Sequence, residues 1–191
     1  MMHGTFESEK TLHSIVPDNV PEPIAWGTYK SLPDTHFYIC AFHDMLDDLP
    51  DIRRLGALVA KVHKGSIGKS PYGKYGFHVA THLANIPNDN TWCDTWEEWF
   101  ANAMRRMLQA EEKSHGANEE LSKLTSALFT NVIPHLLRPL ETEGREIKPC
   151  LIHSDLWPGN IKADAGTDEL MVFDSCAFWG HNEGKSLSVD T

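Results

Sequence analysis

The run Leu151-Ile152-His153-Ser154-Asp155-Leu156-Trp157-Pro158-Gly159-Asn160 sets a histidine two residues before an aspartate and an asparagine five residues after it. Fourteen residues beyond Asn160, the apolar run Met171-Val172-Phe173 ends on Asp174. This order and spacing match the catalytic loop of phosphoryl-transfer enzymes. Such a reaction needs an acceptor for the proton of the attacking hydroxyl, and Asp155 is the candidate. It also needs hard oxygen ligands for a Mg²⁺ that bridges phosphates. A tight loop after Asp155 would turn Asn160 back toward that ion, and Asp174 would bring the anionic ligand from a neighbouring strand end. His153 would pin the loop by hydrogen bonding rather than react, and Gly159 suits a sharp turn. Two other readings stay open. Asp155 and Asn160 could simply cap local backbone. His153, Asp155, Asp174 and His181 could instead serve a metal-dependent hydrolase, although no helical pair of histidines accompanies them.

The elements that must hold these residues are legible from periodicity. Residues 5–16 read as a short helix stopped by Pro17. Ile24–Tyr29 and His36–Phe42 read as strands around the turn Ser31-Leu32-Pro33-Asp34. His43–Asp51 is an acidic connector. From Asp51 the period changes, and Ile52, Leu55, Val59 and Val62 define one face of an amphipathic helix. Residues 65–93, rich in Gly, Pro and Asn, read as a long loop. Asp94 opens a helix with Glu97 as its capping-box partner, and Trp96, Trp99, Phe100, Ala103 and Met107 share its apolar face. A further helix spans about Ala117–Leu140, kinked or restarted at Pro134. Cys150–Ile152 and Leu170–Phe173 are short strands running into the polar clusters. The expected class is α+β: a little strand structure, a helical body, and a catalytic segment carried on strands and loops.

Composition narrows the function. With 27 acidic against 17 basic residues the net charge is -10, which argues against nucleic acid and against an anionic membrane surface as partners. Hydrophobic residues make up 41% of the 191, enough to bury a core. No apolar run is long enough to cross a bilayer, and the first residues, Met1 to Lys10, lack the apolar centre of a signal peptide. Cys40, Cys93, Cys150 and Cys176 are scattered without a Cys-x-x-Cys pair, as expected of reduced thiols in a cytoplasmic protein.

His153-Ser-Asp-Leu-Trp-Pro-Gly-Asn160 resembles the His-Gly-Asp-Leu-Trp-x-Gly-Asn loop of the fructosamine/ketosamine 3-kinases, in the aminoglycoside-phosphotransferase-like superfamily. Phe173-Asp174-Ser-Cys-Ala-Phe-Trp-Gly-His181-Asn-Glu183 is similar to the family's later Asp-x-x-x-x-aromatic-Gly-His-x-Glu block. Val20-Pro-Glu-Pro-Ile-Ala-Trp-Gly27 looks like its lead into the fourth strand of the smaller lobe. His36-Phe-Tyr-Ile-Cys-Ala-Phe-His-Asp-Met45 looks like its fifth strand and hinge. The resemblance covers most of the chain and has the style of a fungal, truncated member. It implies a protein-kinase-like fold, with residues 1–45 a remnant of the N-lobe (one helix and two strands) plus hinge, and 46–191 a C-lobe cut short. It implies ATP and Mg²⁺ as cofactors and phosphorylation of a ribulosamine or fructosamine hydroxyl on a glycated protein or small ketosamine. The backbone of Ala41, Phe42 and His43 would bracket the adenine edge, where the bland alternative is an ordinary buried strand.

The sequence departs from that pattern in ways that affect function. Family members run to roughly three hundred residues. This chain offers neither a glycine-rich phosphate loop nor an upstream strand lysine to hold the α/β-phosphates. Its first helix offers Glu7 and Glu9, but the family's helix glutamate aligns with Thr5. Position 154 is Ser where the family has Gly, and Ala41 replaces a hinge Glu. The alternative to an active kinase is therefore a catalytically impaired kinase-like fragment, or a nucleotide-binding or scaffold protein.

Overall fold

The computed structural model describes residues 1–48, 51–84 and 86–184. Helix α1 (Met2–His13) leads to the antiparallel hairpin β1 (Pro23–Tyr29) and β2 (Leu32–Cys40). The short strand β3 (Met45–Leu46) and helix α2 (Ile52–Ser66) follow. Next come the small hairpin β4 (His82–Leu83) and β5 (Ile86–Pro87), then helices α3 (Trp96–His115), α4 (Glu119–Ala127) and α5 (Ile133–Leu137). The chain ends in four short strands, β6 (Cys150–Ile152), β7 (Ile161–Asp164), β8 (Leu170–Val172) and β9 (Phe178–Gly180). All pairings are antiparallel: β1 with β2, β4 with β5, β6 with β9, and a three-stranded sheet in the order β3-β7-β8. The class is α+β, as expected.

Several boundaries differ from the sequence reading. α1 ends at His13 because Val16, which precedes Pro17, is forced out of the helical region (φ -135°, ψ 68°). Ile15 and Val16 still pack inward, which is why they extended the apparent period. The hairpin turn is only Lys30-Ser31, so β2 starts at Leu32 and stops at Cys40, short of Phe42. The cap of α3 is Thr95, whose hydroxyl accepts from the Glu98 N–H at 3.2 Å, one residue later than the Asp94–Glu97 box. Glu141 reinforces that end by accepting from the Trp96 N–H at 2.8 Å. The long helix expected over 117–140 is broken ahead of Pro134 by a π turn at Leu128–Val132. Proline has no N–H and its ring crowds the carbonyl four residues back, so the preceding turn widens. The 65–93 loop is pinned by bridges of Tyr75 to Cys93 and Gly76 to Trp179. β3, β7 and β9, too short to show a period, went unpredicted.

One core underlies the site. α2 buries Leu55, Leu58 and Val62 against β6 and β8, while Ile52, expected on that face, is largely exposed. α3 buries Trp96 and Trp99 but leaves Met107 half exposed. Trp99 stacks on Phe178 of β9 with centroids 4.2 Å apart, and on Trp96 at 5.1 Å. These contacts seat the strands on either side of the polar segments. The cysteines form no disulfide among the described residues.

Candidate active site

Strand β6 delivers His153 into the interior, where it is 4% exposed. Its Nδ1 accepts from the Asp155 N–H at 3.3 Å, and its Nε2 lies 3.1 Å from the Phe173 carbonyl. A carbonyl only accepts and Nδ1 is already accepting, so the ring carries its proton on Nε2. The imidazole thus ties the loop bearing Asp155 to the strand end bearing Asp174. Ser154 has φ 70°, in the left-handed region that disfavours a β-carbon. The glycine expected there from the resemblance is the unstrained choice. Gly159 lies in the tight turn Pro158–Asn160, and a β-carbon there would sit 2.3 Å from the ring of the half-exposed Trp157, which would have to move aside.

The 3₁₀ turn Pro158–Asn160 folds Asn160 back on the loop. Its Nδ2 donates to the Asp155 main-chain carbonyl at 2.9 Å and to the Asp155 carboxylate at 3.0 Å. Both partners are acceptors, which fixes the amide orientation and directs Oδ1 away from Asp155. The Asn160 carbonyl accepts from the Phe173 N–H at 3.1 Å, so the residue before Asp174 is bonded directly to the asparagine.

Asp174 follows β8 with φ 55°, another left-handed position for a residue with a β-carbon. Its carboxyl is held above the usual carboxylate range, first by burial and then by the charge of Asp155. The three N–H groups after it are all bonded. Ser175 N–H donates to the Glu9 carboxylate at 2.8 Å, Cys176 N–H to the His153 carbonyl at 3.1 Å, and Ala177 N–H to the Ser8 hydroxyl at 3.0 Å. Glu9 is 1% exposed, and its second oxygen is buried without a hydrogen-bond partner among the described residues. Burial pushes its carboxyl up to about 7 against the opposing Ser175 bonds, with the Asp174 charge adding to the rise.

A cavity of about 390 Å³ brings the hinge to this segment; Ala41, Phe42 and His43 line it together with Thr5, Glu9, Tyr38, Phe173 and Asp174. The Ala41 N–H is committed to the Glu22 carbonyl at 2.8 Å. The N–H groups of Phe42 and His43 make no hydrogen bond among the described residues. The Phe42 side chain is 91% exposed, so only its main chain can serve a ligand inside. His43 Nδ1 lies 2.7 Å from the Asp164 carboxylate, and this bond leads the causes that hold Asp164 down at about 2. Asp155 and Asn160 are not part of the cavity wall; they join it through Phe173 and Asp174.

The donor set fits a Mg²⁺–nucleotide. Asp174 offers a carboxylate and Asn160 a freed amide oxygen, and Mg²⁺ takes only one or two protein oxygens when phosphates and water supply the rest. The hydrolase arrangement is not met. Both His153 nitrogens are engaged, His181 packs beside Trp96 at 6.2 Å, and no group of three His, Cys, Asp or Glu able to hold a metal occurs among the described residues. The sequence reading missed the support from Ser8 and Glu9, and from Thr81, whose hydroxyl reaches the Cys176 carbonyl at 3.5 Å. The available signal was that Gly4, Ser8 and Leu12 recur every fourth residue, a buried stripe that starts with two small residues.

The family described as fructosamine kinase matches residues 1–187. The chloroplastic protein-ribulosamine 3-kinase of Oryza sativa subsp. japonica is 30% identical over 187 residues, covering 97% of this chain and 51% of the relative. The ketosamine-3-kinase of Mus musculus is 34% identical over 139 residues, covering 69% and 42% respectively. A solved structure from Thermobifida fusca YX-ER1, of a protein assigned as a fructosamine-3-kinase, superposes with TM-score 0.66 at 21% identity, covering 96% of this chain and 57% of that one. At that identity the likeness speaks for the kinase-like fold. The chain spans about half the length of the curated relatives it matches. It belongs to the fructosamine kinase family.

Proposed function

We propose that this member of the fructosamine kinase family carries the phosphoryl-transfer residues of an ATP-dependent kinase acting on a ketosamine hydroxyl. The substrate class is a ribulosamine or fructosamine, on a glycated protein amine or a small amine. In this reading residues 1–45 provide the N-lobe side and hinge, and the helical lobe follows. Asp155 accepts the proton of the attacking hydroxyl. The freed N–H groups of Phe42 and His43 meet the adenine edge. Asn160 and Asp174 hold Mg²⁺, which when bound offsets charge on the β- and γ-phosphates. His153 acts as a positioning group. Because its Nε2–H is given to the Phe173 carbonyl, it keeps Asp155 and Asp174 in register rather than moving a proton.

The observation that carries this reading is the bonding of Asn160. One amide nitrogen holds both the backbone and the carboxylate of Asp155, which aims the base and leaves an oxygen for the metal. The test is phosphotransfer from ATP to a ribulosamine with the parent chain and Asp155→Asn. Turnover should fall by at least ~100-fold in the variant while nucleotide affinity stays nearly intact, since a general base acts in the transition state. Turnover within about threefold of the parent would remove Asp155 from the role.

A second reading has its own support. The described cavity wall carries two acids, Glu9 and Asp174, and no lysine or arginine. Phosphates entering there meet net negative charge apart from Mg²⁺. That favours a chain that binds nucleotide weakly and turns over little, and a measurable Kd for ATP without phosphorylated product would establish it.

A further inference from the structure

We infer that Glu9, assisted by Ser8, is a positioning residue for Asp174: the first helix fixes the candidate metal ligand by bonding the backbone that follows it. The inference rests on the kinase reading of Asp174 and goes beyond it, since it assigns a function to a helix face that supplies neither the base nor the hinge.

Asp174 sits at φ 55°, a conformation a residue with a β-carbon keeps only when its surroundings impose it. The chain after it is short and buried: Ser175, Cys176 and Ala177 are 2%, 3% and 0% exposed. Buried N–H groups must be paired. Here two of the three pairings come from consecutive side chains of α1, the Glu9 carboxylate and the Ser8 hydroxyl. Glu9 also accepts from the Ser175 hydroxyl at 2.8 Å, so one carboxylate oxygen holds both donors of the residue next to Asp174. α1 itself is seated closely. A β-carbon at Gly4 would lie 2.4 Å from the Ala80 carbonyl, so the helix reaches this depth only because position 4 is glycine. Neighbouring Thr81 reaches the Cys176 carbonyl with its hydroxyl at 3.5 Å.

A buried carboxylate is an expensive acceptor. An amide or hydroxyl would satisfy the same donors at lower desolvation cost. Here one carboxyl oxygen accepts from both the N–H and the hydroxyl of Ser175 at 2.8 Å, and these two bonds fix the turn beside Asp174, which lines the cavity together with Glu9. Thr5 lines that cavity one helical turn earlier, so the wall is presented by the same helix face.

The test measures Mn²⁺ affinity by electron paramagnetic resonance, using the full chain with a non-hydrolysable ATP analogue. Glu9→Met keeps the length and removes the acceptor; it should weaken Mn²⁺ binding about tenfold, in line with loss of a charged hydrogen bond. Glu9→Gln retains an accepting oxygen and should stay within about threefold. In an Asp174→Asn background, Glu9→Met should add less than about twofold, because Glu9 acts through Asp174. Amide exchange at Ser175 should accelerate in Glu9→Met with or without nucleotide. If Glu9→Met does not fold, Ser8→Ala makes the same comparison, with a two- to threefold effect expected for loss of a neutral bond. Equal losses with and without the Asp174 carboxylate would show general damage and overturn the inference. So would an unchanged affinity in Glu9→Met when Asp174→Asn lowers it, which leaves the kinase reading intact. Absence of Mn²⁺–nucleotide binding by the parent chain overturns both.

Discussion

Glu9→Gln should remove a pH dependence of stability that the parent chain carries. Burial lifts the Glu9 carboxyl from 4.5 to about 7 in the folded chain, whereas the unfolded chain titrates near the ordinary value. The folded state therefore holds the proton more tightly, and between those pH values it binds more protons than the unfolded state. The sign follows: this stability is fully present below about 4.5 and is lost as pH rises through about 7. The gap corresponds to roughly 3 kcal/mol at ~1.4 kcal/mol per pH unit. Between pH 5 and 7.5 roughly 2 kcal/mol of it should appear, because titration has begun by pH 5 and is nearly complete at 7.5. Urea unfolding of both chains across that range, without metal or nucleotide, isolates the effect, since the other acids are common to both. The variant's amide oxygen can still accept from Ser175, so its structure is kept. The parent should lose its advantage over the variant, or fall further behind it, by that amount as pH rises. A difference constant to within about 0.5 kcal/mol would refute the view that Glu9 is held as a buried, reluctantly ionised acid.

Three further outcomes are expected. Asp174→Ala should weaken Mg²⁺-dependent nucleotide binding more than Asn160→Ala, because it removes a full charge from the site; calorimetry showing equal, negligible losses would reduce both to loop caps. Trp99→Ala should cost about 3–5 kcal/mol in urea unfolding, since it empties the stack between α3 and β9; a cost under about 1 kcal/mol would mean the stack is dispensable. Asp164, held at about 2 chiefly by His43, contributes stability that is present above its ordinary 3.8 and lost as pH falls through about 2. Asp164→Asn should therefore be less stable than the parent at neutral pH, with the gap closing between pH 4 and 2. Parallel acid-unfolding curves would show that the His43–Asp164 contact does not matter to stability.

How far the sequence reaches depends on where a residue's partners lie. The loop from His153 to Asn160 is legible because base, amide and turn are contiguous, and the bond from Asn160 to Asp155 spans five residues. Asp174 is legible because an apolar strand delivers it. The helical body is legible where the apolar period runs for several turns, as in α2. The period fails where helices lose their partner, as at the exposed end of α3, and it cannot register three-residue strands such as β9. What the sequence does not disclose is the cap on Asp174. The Ser175 bond to Glu9 joins residues 166 apart, and the Ala177 bond to Ser8 joins residues 169 apart. In the sequence Glu9 is noticed only beside Glu7 as a possible partner for an absent lysine, and nothing singles out Ser8. The four-residue recurrence of Gly4, Ser8 and Leu12, with Gly4 admitting the Ala80 carbonyl, is what hints that this face is the buried one. The proposed base and the proposed metal ligand Asp174 thus differ in what they require. Asp155 is set by its own loop through Asn160 and His153. Asp174 sits in a strained conformation, and the backbone after it is bonded by Glu9 and Ser8 of the first helix. A disturbance of α1 should therefore reach metal binding before it reaches the base.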